Sequence, residues 1–411
     1  MDKKNIQQEI ILRTLAQKDL YSFLKLKWER YNNAPFMEGW HIQYLCKILE
    51  STLPNDCPKL NHSENPHPTP PQDFVIFASV GEILADCTSG KQKSGRDKKA
   101  DTSRQETHEG EVFASDFNGC EALSAETSHK GCRTHEKQIS LKSTAKTSQT
   151  ELITRLMINM PPSYGKTEII ARSFIAWALG KDRKRKFFYI SYSDELCRKI
   201  ANQVRDLLKS KLWSDVFLSP PQFLQDNAQE FVLREGGGLF VTTLKSALTG
   251  FHAHQILIDD PIKVSEMSSR AARNLVNQNF KESVLSRLQD NKSNITILMQ
   301  RLGVDDLCGF LLNEREFDKD VINQWKQISL KAIEKKDTTY TQGDFSYFRK
   351  KGESLFRARH TEAQLEHLRL QMGNDEFSSQ YLQEPLITSG GYFDEQYFSY
   401  IWGYEIGKVN T

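Results

Sequence analysis

The chain has 411 residues, room for two or three domains at roughly 100–200 residues each, which excludes a small disulfide-stapled scaffold. Lys and Arg total 55 against 53 Asp and Glu, so the formal net charge of +2 excludes a global basic footprint and leaves any nucleic-acid contact to local patches. Apolar residues are 38% of the chain and mean hydropathy is −0.57, a deficit that points to a local stretch that does not pack.

The N-terminus, MDKKNIQQEIILRTL, has no signal-peptide pattern. Ile10, Ile11, Leu15, Leu20, Phe23 and Leu24, then Ile42, Leu45, Ile48 and Leu49, recur at spacings of three to five and predict amphipathic helices over 1–52, with a turn at Asn32–Pro35. From Leu53 to Pro71 prolines are too dense for a regular helix or central strand. Between Gly90 and Thr150 the apolar share falls to roughly half that of the whole chain, too little to offset the entropy of ordering. Residues 53–150 therefore read as a Pro-rich linker and a polar, disordered insertion, with Phe74–Ala78 as one short strand or docking segment. Seven scattered cysteines fit a reducing compartment, and no apolar run reaches the length of a membrane span.

After Leu152 strands and helices alternate. Strands are predicted at Leu156–Met160, Phe187–Tyr192, Phe240–Thr243, Gln255–Ile258 and Asn294–Met299. Helices are predicted through Ile169–Ala178, through Leu196–Leu208, around Ser269–Leu288 and around Val304–Leu312. The pitch predicts an α/β fold with a mainly parallel sheet over 151–389.

Met160–Thr167, MPPSYGKT, lies between a predicted strand and a predicted helix and matches the phosphate loop G-x-x-x-x-G-K-[ST], with Met160 in place of the first glycine. In such a loop Ser163, Tyr164 and Gly165 turn main-chain N–H groups toward phosphates. Lys166 reaches the β and γ phosphates, and the Thr167 hydroxyl can ligate Mg²⁺. Gln255–Pro261 supplies the acidic partner: an apolar strand ending in Asp259, suited to Mg²⁺, and Asp260, suited to orienting the attacking water. Together they predict an ATP·Mg²⁺ site on a P-loop fold of the RecA-like (ASCE) type.

MPPSYGKTEII, YISYSDEL, SALTGFHAHQILIDDPIK, ILMQRLGVDDLCGFLL and FSSQYLQEPLITSGGYF occur in the order seen in large terminase subunits of tailed phages and prophages, which this chain resembles over most of Leu152–Phe393. Those proteins are DNA-packaging motors with an N-terminal ATPase and a C-terminal ribonuclease-H-like nuclease. The resemblance implies that Lys166 and Thr167 bind ATP·Mg²⁺, that Asp259 is the metal partner and that Asp260 is the hydrolytic carboxylate. It puts Gln300 and Arg301 on the coupling motif that senses the γ-phosphate, and Trp40 and Gln43 near the adenine. Arg198 and Arg205 are candidate arginine fingers. It also implies double-stranded DNA, a portal protein, the small terminase subunit and a homo-oligomeric ring as partners, in the host cell cytoplasm and away from membranes.

The sequence departs from the family at Ser163, where a basic residue is common, and at Gln300, where Thr is usual. Residues 390–411 hold Asp394, Glu395 and Glu405 but none of the acidic strands a two-metal nuclease needs, so the expectation is a stub of a truncated nuclease domain with that activity absent. Cys120, His129, Cys132 and His135 offer zinc-like spacing without a second close pair. Lys181–Lys186 is a basic cluster suited to DNA phosphates or to a solvated loop. Another P-loop translocase or helicase and a non-catalytic prophage remnant are the alternatives.

Overall fold

The computed structural model describes residues 3–31, 36–54, 151–245 and 250–386. These fall in one unit, residues 1–61 with 147–411. The expected turn at 32–35, the insertion from residue 55 to 150 with its apolar run and its Cys/His set, and the stub at 390–411 lie outside the described residues.

Three helices, α1 (Lys3–Lys18), α2 (Leu20–Tyr31) and α3 (Trp40–Glu50), precede strand β1 (Arg155–Asn159). A π-helical turn, Glu168–Phe174, runs on into α4 (Ile175–Lys181), followed by β2 (Lys186–Ser191), α5 (Asp194–Leu208) and α6 (Lys211–Phe217). Next come β3 (Phe223–Asp226), β4 (Glu230–Leu233), β5 (Gly238–Thr243) and β6 (Gln255–Asp259). The chain continues through α7 (Arg270–Asn279), β7 (Asn294–Met299), α8 (Leu307–Leu311), α9 (Lys319–Asn323) and β8 (Lys326–Ser329). A hairpin, β9 (Thr338–Gln342) with β10 (Phe345–Arg349), and two helices, α10 (Glu362–Met372) and α11 (Asn374–Gln380), complete it.

Eight strands form one sheet in the order β3-β4-β5-β2-β6-β7-β1-β8, parallel from β5 to β8, with β3 and β4 added antiparallel at one edge. Two-residue alternation on the central strands makes two cores. Leu156, Ile158, Phe187, Tyr189, Leu257 and Leu298 face the layer of α1–α6. Met157, Phe188, Ile190, Ile256, Ile258, Ile295, Ile297 and Met299 face α7 and α8. A crossover covers each face, which is why these strands are apolar on both sides and legible as continuous runs.

One position in this order matters most. The strand leading to the phosphate loop, β1, is separated from the strand bearing Asp259 by a single intervening strand, β7. That arrangement is the RecA-like (ASCE) form of the P-loop fold, as the motif order predicts.

The predicted helix around Ser269–Leu288 is present as one helical run over residues 270–287, in which the winding changes twice. After Asn279 the winding widens through a π turn, Phe280–Val284, and then tightens through a 3₁₀ turn, Leu285–Arg287, with Phe280 and Val284 both in the core. The predicted helix over Val304–Leu312 is shorter, starting at Leu307, because Asp306 caps it by accepting a hydrogen bond from the Gly309 N–H at 2.9 Å.

Candidate functional site

The phosphate loop is shaped by two left-handed residues, Ser163 at φ 67° and Gly165 at φ 87°. A residue with a Cβ is strained at the second, which is why glycine stands there. Left-handed turns alternating with ordinary ones make successive N–H groups converge on one concavity, an anion-binding nest. The helix that follows begins at residue 166, adding its N-terminal polarity.

Asp259 ends a fully buried strand, and Asp260 follows it in a left-handed turn at φ 44° that Pro261 then closes. Asp tolerates this conformation better than Glu. The turn brings the two strand ends together. Lys166 Nζ donates to Asp260 Oδ1 at 2.7 Å and Oδ2 at 2.5 Å, and Thr167 Oγ1 donates to Asp259 Oδ2 at 3.0 Å. Tyr189 on β2 donates its hydroxyl to the same Asp259 oxygen at 2.9 Å. The sequence reading missed Tyr189. Its signal was the two-residue alternation that aims it at the same layer as Leu257 on β6.

The electrostatics are those of a site prepared for a cation. Burial first, and the adjacent Asp260 charge second, push the Asp259 carboxyl up to about 6, with Lys166 pulling it partway back. Asp259 Oδ1 is buried and accepts no hydrogen bond. An orphaned carboxylate oxygen beside a threonine hydroxyl is a hard-oxygen donor set, and it fits Mg²⁺ completed by phosphate and water.

Gln300 follows β7 and is nearly buried; its N–H lies 3.4 Å from Asp260 Oδ1, while its side-chain Oε1 is buried without a partner. Arg301 differs. Its guanidinium Nε donates to both carboxylate oxygens of the fully buried Asp306, at 2.8 and 3.1 Å, and its Nη2 to Gly303 O at 3.3 Å. That side chain braces the loop after β7 rather than standing free for a phosphate.

The remaining candidates are scattered. Trp40 stacks on Tyr347 at 4.5 Å and 3°, with Tyr340 at 4.8 Å and the Arg349 guanidinium over its ring at 5.9 Å. It anchors the β9–β10 hairpin to α3, so one face is covered, while Gln43 on the same helix is exposed. Arg205 is spent on Asp226, Asn202 and the Asn227 carbonyl and lies over Phe231, so it is not free to act as a finger. Arg198 on α5 is exposed. Within the basic cluster Arg183 bonds Ser219 and lies over Trp213, and Arg185 is buried near Asp182, leaving Lys184 and Lys186 as its exposed side chains.

Tyr164, from the phosphate loop itself, is buried and its hydroxyl meets His360 Nδ1 at 3.0 Å. Beside it His41 is fully buried, its ring 5.0 Å from Phe356 and 6.3 Å from Tyr164, and neither ring nitrogen reaches a well-formed hydrogen bond. Burial, with a smaller push from Arg349, brings its pKa down to about 4 against a smaller opposing effect of the Tyr164 main chain. The unfolded chain then takes up a proton that the folded chain refuses. Stability from this group is complete above the unfolded pKa of about 6.5 and lost as pH falls toward 4, about 2 kcal/mol of it by pH 5. Urea unfolding of the wild type and His41→Phe at pH 7.5 and pH 5 checks this: the variant should lose less stability, and equal losses refute the assignment.

Among the described residues no cluster of three or more His, Cys, Asp or Glu could hold a metal by itself, and no helix is long and apolar enough to cross a membrane. No protein-family model and no curated protein sequence matches the chain. Solved structures similar to it include the large terminase ATPase domain of a Thermus phage, at 12% identity and TM-score 0.37, covering 58% of this chain and 90% of that one. The large terminase of a thermophilic bacteriophage in complex with ADP follows at 11% identity and TM-score 0.34, over 59% of this chain and 50% of that one. The bacteriophage HK97 large terminase is 13% identical at TM-score 0.36, over 56% of this chain and 47% of that one. The chain thus spans about half the length of the latter two. All three scores lie below 0.5, and the fold assignment rests on strand order and loop geometry.

Proposed function

We propose that this chain is an ATP-hydrolysing motor subunit of the terminase type, with residues 151–389 as its P-loop ATPase core and duplex DNA as the moved substrate. The observation that carries the ATPase reading is the meeting of Thr167 with Asp259 and of Lys166 with Asp260 at the ends of β1 and β6. A structural ion pair alone does not need a nest-shaped loop, two left-handed residues and an orphaned buried oxygen around it.

In this reading the N–H groups of Ser163, Tyr164 and Gly165 cradle the phosphates, and Lys166 swings from Asp260 to the β and γ phosphates as nucleotide enters. That motion frees Asp260. Its carboxylate then takes a proton from the water that attacks the γ-phosphorus, and the bond to the β,γ-bridging oxygen breaks, leaving ADP and phosphate. Thr167 and Asp259 would hold Mg²⁺, which would supply neutralisation of the charge on the phosphate oxygens. Tyr189 fixes the Asp259 carboxylate, and Gln300, next to Asp260 in the site, is placed to sense the γ-phosphate. Arg198 is the exposed arginine suited to a neighbouring subunit's site in a homo-oligomeric ring. The implied partners are DNA, a portal protein and a small terminase subunit, in the host cell cytoplasm. No nuclease step is assigned to this chain.

Phosphate release by the purified full chain, with and without duplex DNA, tests the reading. Mg²⁺-dependent turnover is expected. Failure to bind ATP even with DNA, portal and small subunit present retires it, and binding without turnover selects a non-catalytic nucleotide-binding protein instead.

A further inference from the structure

The geometry points to Gln383 as a positioning residue that ties the loop behind Asp260 to the C-terminal helix pair α10–α11. Gln383 lies just beyond α11, is 5% exposed, and holds a left-handed backbone at φ 59°. A long side chain gains nothing from that conformation by itself, so something must hold it there. Its Oε1 accepts the Arg301 N–H at 3.0 Å and its Nε2 donates to the Gln380 carbonyl at 2.6 Å. The side chain is thus clamped between the end of α11 and the main chain immediately after Gln300.

The bonds continue in both directions. Toward the site, the Gln300 N–H faces Asp260 Oδ1 at 3.4 Å, and the Asp260 N–H donates to Leu298 O at 2.9 Å. Arg301 and the N–H groups of Leu302 and Gly303 are pinned to the buried Asp306 carboxylate. The loop therefore behaves as one braced piece, and the Gln383 bond is its tie to the helix pair. Away from the site, the Ser378 hydroxyl donates to the Glu384 carbonyl at 2.7 Å and the Glu384 N–H to Ser378 O at 2.9 Å. The Ala332 N–H donates to Tyr381 O at 2.7 Å, so the turn that carries Gln383 is itself anchored to the segment after β8. A shift of the Gln300–Arg301 main chain as Lys166 leaves Asp260 is passed to this turn through one amide–carbonyl bond, and a displaced helix pair acts through the same bond on the Gln300–Arg301 main chain that faces Asp260.

This rests on the ATPase reading above, and three substitutions separate it from a merely structural role. Gln383→Met keeps the volume and removes the acceptor, Gln383→Glu keeps the acceptor for the Arg301 N–H while losing the amide donor to the Gln380 carbonyl, and Gln383→Gly removes both the acceptor and the backbone strain. The expected result is that kcat for ATP falls tenfold or more in the Met and Gly variants while KM for ATP stays within about twofold. Gln383→Glu keeps kcat within about threefold of wild type. The Gly variant should melt no lower than the Met variant, so activity and melting temperature part company. Hydrogen exchange supplies a readout independent of turnover: the Arg301 amide should lose protection in the Met and Gly variants and keep it in the Glu variant. Unchanged Arg301 protection in Gln383→Met, or kcat that simply follows melting temperature across the three, overturns the inference. Loss of Arg301 protection in a protein that shows no ATP binding at all would leave this bond standing and remove the ATPase reading instead.

Discussion

Lys166→Ala is expected to reduce ATP turnover by about 10²–10³-fold, the usual consequence of removing one preorganised donor from developing charge. The same substitution acts on the protein without nucleotide. Lys166 is 7% exposed and is the cation that Asp260 meets in the site, and Asp259 beside it is buried. Without the ammonium, two adjacent carboxylates share a low-dielectric site. A loss of about 1–3 kcal/mol in stability should follow, discounted from the fully buried case because the Asp260 side chain is 27% exposed. Chemical unfolding at pH 7.5 in EDTA measures it. The double variant Lys166→Ala/Asp260→Asn should recover most of the loss, since the charge left unpaired is then gone. A double variant no more stable than the single one would show that the pair is not the cause.

Asp260→Asn should cost about 10²–10⁴-fold in the hydrolytic step, the range for removing a general base, while leaving nucleotide binding intact or tighter. The backbone permits a clean test. Asn accepts the left-handed conformation at φ 44° as readily as Asp, so the turn and its N–H bond to Leu298 persist. The charge and one acceptor oxygen are lost while the backbone is kept. Affinity does not suffer because a carboxylate near the γ-phosphate repels it and Lys166 no longer has to leave an ion pair. Single-turnover hydrolysis together with a fluorescent-nucleotide titration reads both quantities. A wild-type hydrolysis rate in this variant would move the base elsewhere in the site, and a parallel loss of binding would make Asp260 a binding group.

These two predictions start from residues that were visible in the primary structure. The phosphate loop and the acidic strand end are local signals: each places its chemistry within eight contiguous residues, and the strand–loop–helix context around them follows from hydrophobic period. The buried parallel strands were equally legible, since a strand covered on both faces must be apolar throughout. The edge strands were not. β3, β4 and β8 are four residues each and mixed in polarity, and β9 and β10 are half exposed, so their pairing depends on neighbours rather than on pattern.

The site divides in the same way. Lys166, Thr167, Asp259 and Asp260 were named from spacing and their two motifs paired as one site, but which side chain meets which was not, because about ninety residues separate the motifs and the parallel register of β1, β7 and β6 makes their ends coincide. Tyr189 and Gln383 enter the site network from distant elements through single hydrogen bonds. Strand alternation gives the layer Tyr189 faces but not its partner, and no local rule marks Gln383. The arginines were the weakest part: Arg205 was a finger candidate and Arg301 a coupling-motif residue because a sequence lists an arginine without its partner, and folding gave the first to Asp226 and the second to Asp306. Sequence by itself determined the phosphate-loop and acidic-strand motifs and the central parallel strands of the sheet that carries them, through short-range spacing and burial period. Tertiary structure alone decided which charged groups are spent on the fold and which face the site, because long-range electrostatic pairing has no period to read.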